Sequence, residues 1–215
     1  MILKIAQIGI GYWGPNLLRN LVGNKRCIVK VVVDLSEERR FFARSLFPSI
    51  PTTADFGAVL ADAAIDAVVI ATPAATHFDL VTRALKAGKH VLVEKPMASS
   101  VAGVEAIAVE AEKSGRIAMV GHTFLFNPAV RFLKSLIDSG ELGKIRYIYS
   151  QRLNLGRIRS DVDALWNLGP HDVSIIQYLL GDPQPAAVKR TGMDFIQKGV
   201  DDVVFLNIEY PQKIS

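Results

Sequence analysis

Cysteine is almost absent from this chain: Cys27 is the only one in 215 residues. That excludes a disulfide framework and a thiolate metal cluster, and fits a reducing cytosol. Cys27 is expected to serve as a small buried hydrophobe. Long hydrophobic runs are missing too. The first apolar stretch, Met1 to Ile10, carries Lys4 and reaches glycine at once, too short and interrupted for a signal peptide or a membrane span. A cytoplasmic protein with no membrane partner is expected. There is no internal repeat, low-complexity tract or flexible linker. Nor is charge of one sign concentrated: the net charge is +4, but the basic residues are interleaved with acids over most of the chain, which argues against nucleic acid as a partner. What is present is a chain that is 50% hydrophobic, enough for one large domain or two small ones with their own cores.

Periodicity predicts strand and helix in alternation: strands at Leu3 to Ile8, Ile28 to Val33, Ala67 to Ala71, His90 to Val93 and Ile117 to Val120. Helices are predicted at about Pro15 to Leu21, Ser36 to Leu46, Phe56 to Ala61, Thr76 to Lys86 and Val101 to Lys113. The strands are apolar throughout, as expected where helices cover both faces of a parallel sheet. The expected fold class is therefore α/β, with residues 1–121 forming a doubly wound Rossmann domain. After His122 the pattern changes to a helix at Pro128 to Ser139, a long strand at Lys144 to Leu153, an arginine-rich segment, a helix at Pro170 to Leu180 and two further strands. Residues 122–215 are expected to form a smaller α+β domain with a mainly antiparallel sheet, packed directly on the first across a cleft.

Gly9-Ile10-Gly11-Tyr12-Trp13-Gly14 follows the first strand and precedes a helix opened by Pro15, the context that a dinucleotide fingerprint requires. The first glycine permits a tight turn, the second lets backbone approach a pyrophosphate, and the third allows close packing of helix on strand. Asp34 ends the second strand, twenty residues beyond Gly14, where a carboxylate accepts hydrogen bonds from a ribose and repels a 2′-phosphate. NAD is favoured over NADP, with Arg39 and Arg40 leaving some room for NADP or forming a solvated helix face. Ala71-Thr72-Pro73 ends the third long strand and should line the same crevice. His77 just beyond it is either a cofactor contact or a helix N-terminal residue without a ligand. Glu94-Lys95-Pro96 ends the next strand, and proline stops that strand, placing Lys95 where open α/β sheets bind ligands.

Together with Trp166-Asn167-Leu168-Gly169-Pro170-His171-Asp172, these motifs make the chain resemble the Gfo/Idh/MocA oxidoreductases, the glucose-fructose oxidoreductase and inositol dehydrogenase family. The resemblance implies an NAD(P)-dependent dehydrogenase acting on a ring hydroxyl. The cofactor would lie against Gly9, Gly11, Tyr12, Trp13, Gly14, Asp34, Ala71, Thr72, Pro73, His77, Glu94 and Lys95, and Lys95 and His171 would flank the oxidised carbon. Such a pair is chemically intelligible, because removing hydride from a secondary alcohol requires its hydroxyl proton to leave, and histidine titrates in the right range. Where many relatives have aspartate, this chain has Asn167, which can hold a substrate hydroxyl but cannot act as a base. Asp172 either contacts the substrate, assists His171 or caps the helix.

Arg152, Arg157 and Arg159, alongside Asn154, form the strongest local basic cluster, suited to a diphosphate or a carboxylate and equally readable as a solvated loop. A sugar nucleotide is therefore the preferred substrate, with a polyol or inositol, or NAD binding with little catalysis, as the alternatives. The resemblance also implies a second domain longer than this one, so an uncovered strand edge is expected to favour a homo-oligomer.

Overall fold

Strand β1 (Leu3–Ile8) lies at the centre of a parallel sheet, with four of its six residues apolar and helices covering both faces. The structure, a computed structural model, describes residues 2–154, 162–211 and 214. It divides into two compact units, Met1–Gly121 and His122–Ser215.

The first unit runs β1, α1 (Gly14–Val22), β2 (Cys27–Val33), α2 (Glu37–Leu46), β3 (Thr52–Thr53), α3 (Phe56–Ala61), β4 (Ala67–Ile70), α4 (His77–Lys86), β5 (His90–Val93), α5 (Val101–Ser114) and β6 (Ala118–Val120). All pairings are parallel, in the order β3-β2-β1-β4-β5-β6. The order reverses between β1 and β4, which fixes the switch point where ligands of open α/β sheets bind. Alternate strand residues Ala6, Ile8, Val68, Ile70, Val91 and Val93 bury one face against Phe56 of α3, Val81 and Leu85 of α4, and Ile107 of α5. A second core gathers Leu18 of α1, Ala43 of α2, Val29 and Val32. Truncating fully buried Leu18 to alanine would cost about 2–5 kcal/mol. Capping side chains set helix starts: Ser36, Asp55 and Ser100 accept amides of α2, α3 and α5.

The second unit holds α6 (Pro128–Asp138), α7 (Ala164–Leu180) and the antiparallel pair β7 (Ala187–Met193) and β8 (Val203–Glu209). Two expectations are corrected here. Helix α7 begins at Ala164 and not at Pro170: the Asp163 carboxylate accepts the Trp166 amide at 2.8 Å and caps the helix, so Pro170 lies inside it. The stretch 144–153 forms no strand, because among the described residues β7 and β8 pair only with each other. Its alternate residues Ser150 and Arg152 instead reach the side of α7, the two-residue periodicity of extended chain without a ladder. No helix among the described residues is long and apolar enough to cross a membrane.

Candidate functional site

In the first unit, the ends of β1, β2, β4 and β5 carry the glycine loop, Asp34, Ala71-Thr72-Pro73 and Glu94-Lys95-Pro96. Gly9 has φ +92°, and a Cβ there would sit 2.6 Å from the Ala71 carbonyl oxygen. A Cβ on Gly14 would sit 2.7 Å from the Gly9 carbonyl oxygen. Both glycines are thus demanded by the chain's own packing. Gly11 differs: its nearest neighbour would be Arg39 Nη1 at 3.7 Å, leaving open space where a ligand could come close to the protein backbone. Tyr12 is 89% exposed on the same loop. Helix α1 has Trp13 at its N-cap with no capping side-chain bond; Pro15 carries no N–H and the Asn16 amide donates to the Trp13 carbonyl at 3.0 Å, so the Gly14 amide is what this helix start offers an anion.

Beneath this loop lies a residue that the motif reading missed. Gln7 is fully buried, and its Nε2 donates to the carbonyls of Gly9 at 3.0 Å and Gly14 at 2.8 Å, bridging the first and last glycines. A polar side chain inside the apolar run Leu3–Ile8 was the available signal.

Asp34 is 8% exposed, and its carboxylate is fixed from two sides. Oδ2 accepts the Ile10 amide at 2.9 Å and Oδ1 accepts the Ser36 amide at 2.9 Å. Each carboxylate oxygen keeps acceptor capacity for a ribose hydroxyl. The open position at Gly11, the uncapped start of α1 and this oriented carboxylate fit a dinucleotide. Arg40 is committed to the carbonyls of Asp34 and Leu35, while Arg39 overhangs Gly11.

Thr72 Oγ1 and Thr76 Oγ1 lie 2.7 Å apart, tightening the loop after β4. His77 is 1% exposed, and its ring faces inward: Nδ1 lies 2.7 Å from the Pro96 carbonyl oxygen and Nε2 2.9 Å from that of Thr72. With both nitrogens engaged by the chain, His77 ties the β4 loop to the turn carrying half-buried Lys95. Burial pushes the Glu94 carboxyl above the usual carboxylate range, against the Lys95 amide, the Lys95 and His77 charges and the Trp13 indole, which pull the other way. Gly121 gives Glu94 room, since a Cβ there would lie 3.2 Å from Oε1.

In the second unit, α7 places Asn167 and His171 one turn apart on one face. The His171 ring meets Phe124 edge-on, with centroids 4.9 Å apart. Asp172 is not a helix cap but an ion-pair partner. Its Oδ2 accepts Arg152 Nε at 2.6 Å, and its Oδ1 accepts Arg152 Nη2 at 3.1 Å and Ser150 Oγ at 2.7 Å. Burial alone would raise the Asp172 carboxyl, but the bonds from Arg152 and Ser150 and the charges of Arg152 and His171 hold it below the usual range. Arg152 and Asp172, expected as substrate contacts in an open basic cluster, are therefore engaged with each other. Asn154 is exposed, and Arg157 and Arg159 lie outside the described residues.

A parallel sheet of this order, with a glycine turn at its switch point and an acid ending its second strand, defines a dinucleotide-binding protein of the Rossmann class. Comparison with known proteins sharpens the class. The chain belongs to the Gfo/Idh/MocA oxidoreductases: residues 3–122 match the oxidoreductase family with an NAD-binding Rossmann fold, and residues 130–215 match the GFO/IDH/MocA C-terminal domain. It is 32% identical over 188 residues to scyllo-inositol 2-dehydrogenase (NAD(+)) of Bacillus subtilis, covering 83% of this chain and 54% of that protein. It is 29% identical over 187 residues to 4-carboxy-2-hydroxymuconate-6-semialdehyde dehydrogenase of Sphingobium sp., covering 83% of this chain and 59% of that protein. Among solved structures, that of GenD2 from gentamicin A biosynthesis in complex with NAD matches with a TM-score of 0.86 at 26% identity, covering 98% of this chain and 63% of that one. The chain thus spans less than two thirds of the length of these relatives.

Proposed function

We propose that this chain transfers hydride between NAD and a secondary alcohol on the ring of a polyol or sugar, with Lys95 and His171 as its acid/base groups. The observation that carries the reading is the arc of strand ends in the first unit, where an open glycine loop, an oriented Asp34 and Lys95 share one edge of the sheet. When bound, NAD supplies the hydride acceptor. The remaining work falls to side chains and amides of this chain. The Gly9–Gly14 loop and the start of α1 hold a pyrophosphate, and Asp34 holds ribose hydroxyls and repels a 2′-phosphate.

Hydride departs from a carbinol carbon only as the hydroxyl proton is taken, and His171 takes it. The Lys95 ammonium stabilises the developing alkoxide, and Asn167 orients a neighbouring substrate hydroxyl through its amide. The name of the Bacillus subtilis relative supports a cyclic polyol as substrate. A nucleotide-linked sugar is the second reading, favoured by the arginine-rich segment; with Arg152 held by Asp172, it rests on Arg157 and Arg159. Exposed Val188, Phe195, Ile196 and Phe205, on and beside the β7–β8 hairpin, support a homo-oligomer, which a single monomeric species in light scattering would contradict.

The test follows NADH absorbance with inositols, free sugars and UDP-sugars. Lys95→Met and His171→Ala should each lower kcat by about 10²–10⁴-fold, the usual worth of acid/base assistance. Turnover unchanged in both variants would overturn the assignment.

A further inference from the structure

Four contacts in the second unit close on themselves. His171 meets the Phe124 ring at 4.9 Å between centroids, and the Arg152 guanidinium lies over that ring at 4.7 Å from its centroid. Arg152 is held by two hydrogen bonds to Asp172, and Asp172 is the next residue after His171 on α7. The circuit therefore begins and ends at neighbouring positions of one helix. It draws in the turn of residues 123–126 and the segment 150–152, neither of which is fixed to α7 by a sheet ladder.

We propose that Phe124, Arg152 and Asp172 are positioning residues that fix the orientation of the His171 ring, a role that rests on the reading of His171 as the base. A histidine on a helix can turn about two side-chain torsions, and the second is broad, so a catalytic ring requires an outside wall. Phe124 is that wall, because an edge-to-face pair has a preferred geometry. The wall in turn has to be held in place, and the Arg152 guanidinium over its ring does so. A guanidinium stacks on an aromatic face and keeps that place when a carboxylate grips it at two points, which lysine could not reproduce. Ser150, donating to the same carboxylate at 2.7 Å, fixes the Asp172 rotamer.

The arrangement also gives Arg152 a purpose other than holding a substrate anion. A diphosphate competing for it would have to break a bidentate pair and uncover the Phe124 ring.

The experiment uses the full chain and two readouts. In the first, the His171 ring-proton resonances of the cofactor-free protein are assigned by NMR. Phe124→Leu should remove the ring-current shift and Phe124→Tyr should restore it, while Arg152→Met should change it even though residue 124 is untouched. In the second, kcat and KM are measured for the same variants. Misplacing a catalytic group by about 1 Å can cost about 10²-fold in rate, so Phe124→Leu and Arg152→Met should lower kcat by about 10- to 10²-fold with KM for NAD unchanged. Arg152→Lys should not rescue, and Phe124→Tyr should.

Wild-type resonances in Arg152→Met would overturn the proposal. So would wild-type kcat in both Phe124→Leu and Arg152→Met while His171→Ala is inactive, because the contacts would then be packing alone. A fully active His171→Ala variant would instead sink the reading of His171 as base, leaving the NMR result to judge the circuit by itself.

Discussion

Replacing Gly11 with alanine separates the two reasons a chain keeps glycine, and the structure assigns a different reason to each glycine of the loop. A Cβ at Gly11 meets only Arg39 Nη1 at 3.7 Å, an ordinary van der Waals distance, and Gly11 is not among the glycines with positive φ. Folding should therefore lose nothing, and could gain about 0.4–1 kcal/mol through a less flexible unfolded chain. Cofactor binding should suffer, because the added methyl group stands where backbone must approach a pyrophosphate. Losing one hydrogen bond to a charged group costs about 1.5–3 kcal/mol, which is about 10- to 150-fold in Kd at about 1.4 kcal/mol per decade. Gly14→Ala is the control of opposite sign. Its Cβ would lie 2.7 Å from the Gly9 carbonyl oxygen, a clash of the overpacking kind that costs about 1–3 kcal/mol of stability. Thermal unfolding by circular dichroism and NAD titration by calorimetry measure both quantities. If folded Gly11→Ala bound NAD as tightly as the wild type, the placement of the pyrophosphate on this loop would be refuted.

Other predictions concern groups beneath and beside the loop. Gln7→Leu removes two hydrogen bonds of about 1 kcal/mol each but also removes the buried Oε1, which has no hydrogen-bond partner, so a net loss of about 1–2 kcal/mol in thermal stability is expected, with weaker NAD binding by calorimetry; an unchanged melting midpoint would refute the bracing role. Glu94 has a raised folded pKa, so between its unfolded value and the raised one the folded state binds more protons, and stability falls as pH rises through that window. Glu94→Gln should therefore be more stable than wild type at neutral pH, with the difference vanishing below the ordinary glutamate range near about pH 4.3 in chemical denaturation. Asp172 has the opposite sign: its lowered pKa contributes stability that is complete above the ordinary aspartate range and lost as pH falls through the folded value, so Asp172→Asn should flatten acid unfolding of the second unit.

The first unit was legible because its signals are local. Gly9, Gly11 and Gly14, Asp34 and Glu94-Lys95-Pro96 each sit at the end of an apolar strand, and a parallel sheet turns consecutive strand ends into one arc without further information. The second unit was less legible because its decisive contacts are long-range. Pro170 reads as a helix start, yet Asp163, seven residues earlier, supplies a cap that begins α7 upstream. The alternating sequence of 144–153 reads as a strand, but a strand needs a partner's ladder, and the chain gives Ser150 and Arg152 to Asp172 instead. Arg152 looked like an open anion contact because its partner lies twenty residues away. His77, undecided between cofactor contact and helix residue, is drawn inward by two carbonyls that no motif announces.

The central claim is hydride transfer from a ring carbinol carbon, and isotope tracing tests it most directly. The full chain would be incubated with NAD and scyllo-inositol carrying deuterium at its carbinol carbons, and the mass of the reduced cofactor measured. The account predicts NADH heavier by one deuterium, formed by the wild type and strongly reduced in His171→Ala and Lys95→Met. Reduced cofactor without deuterium, or equal amounts of labelled NADH formed by all three proteins, would contradict it.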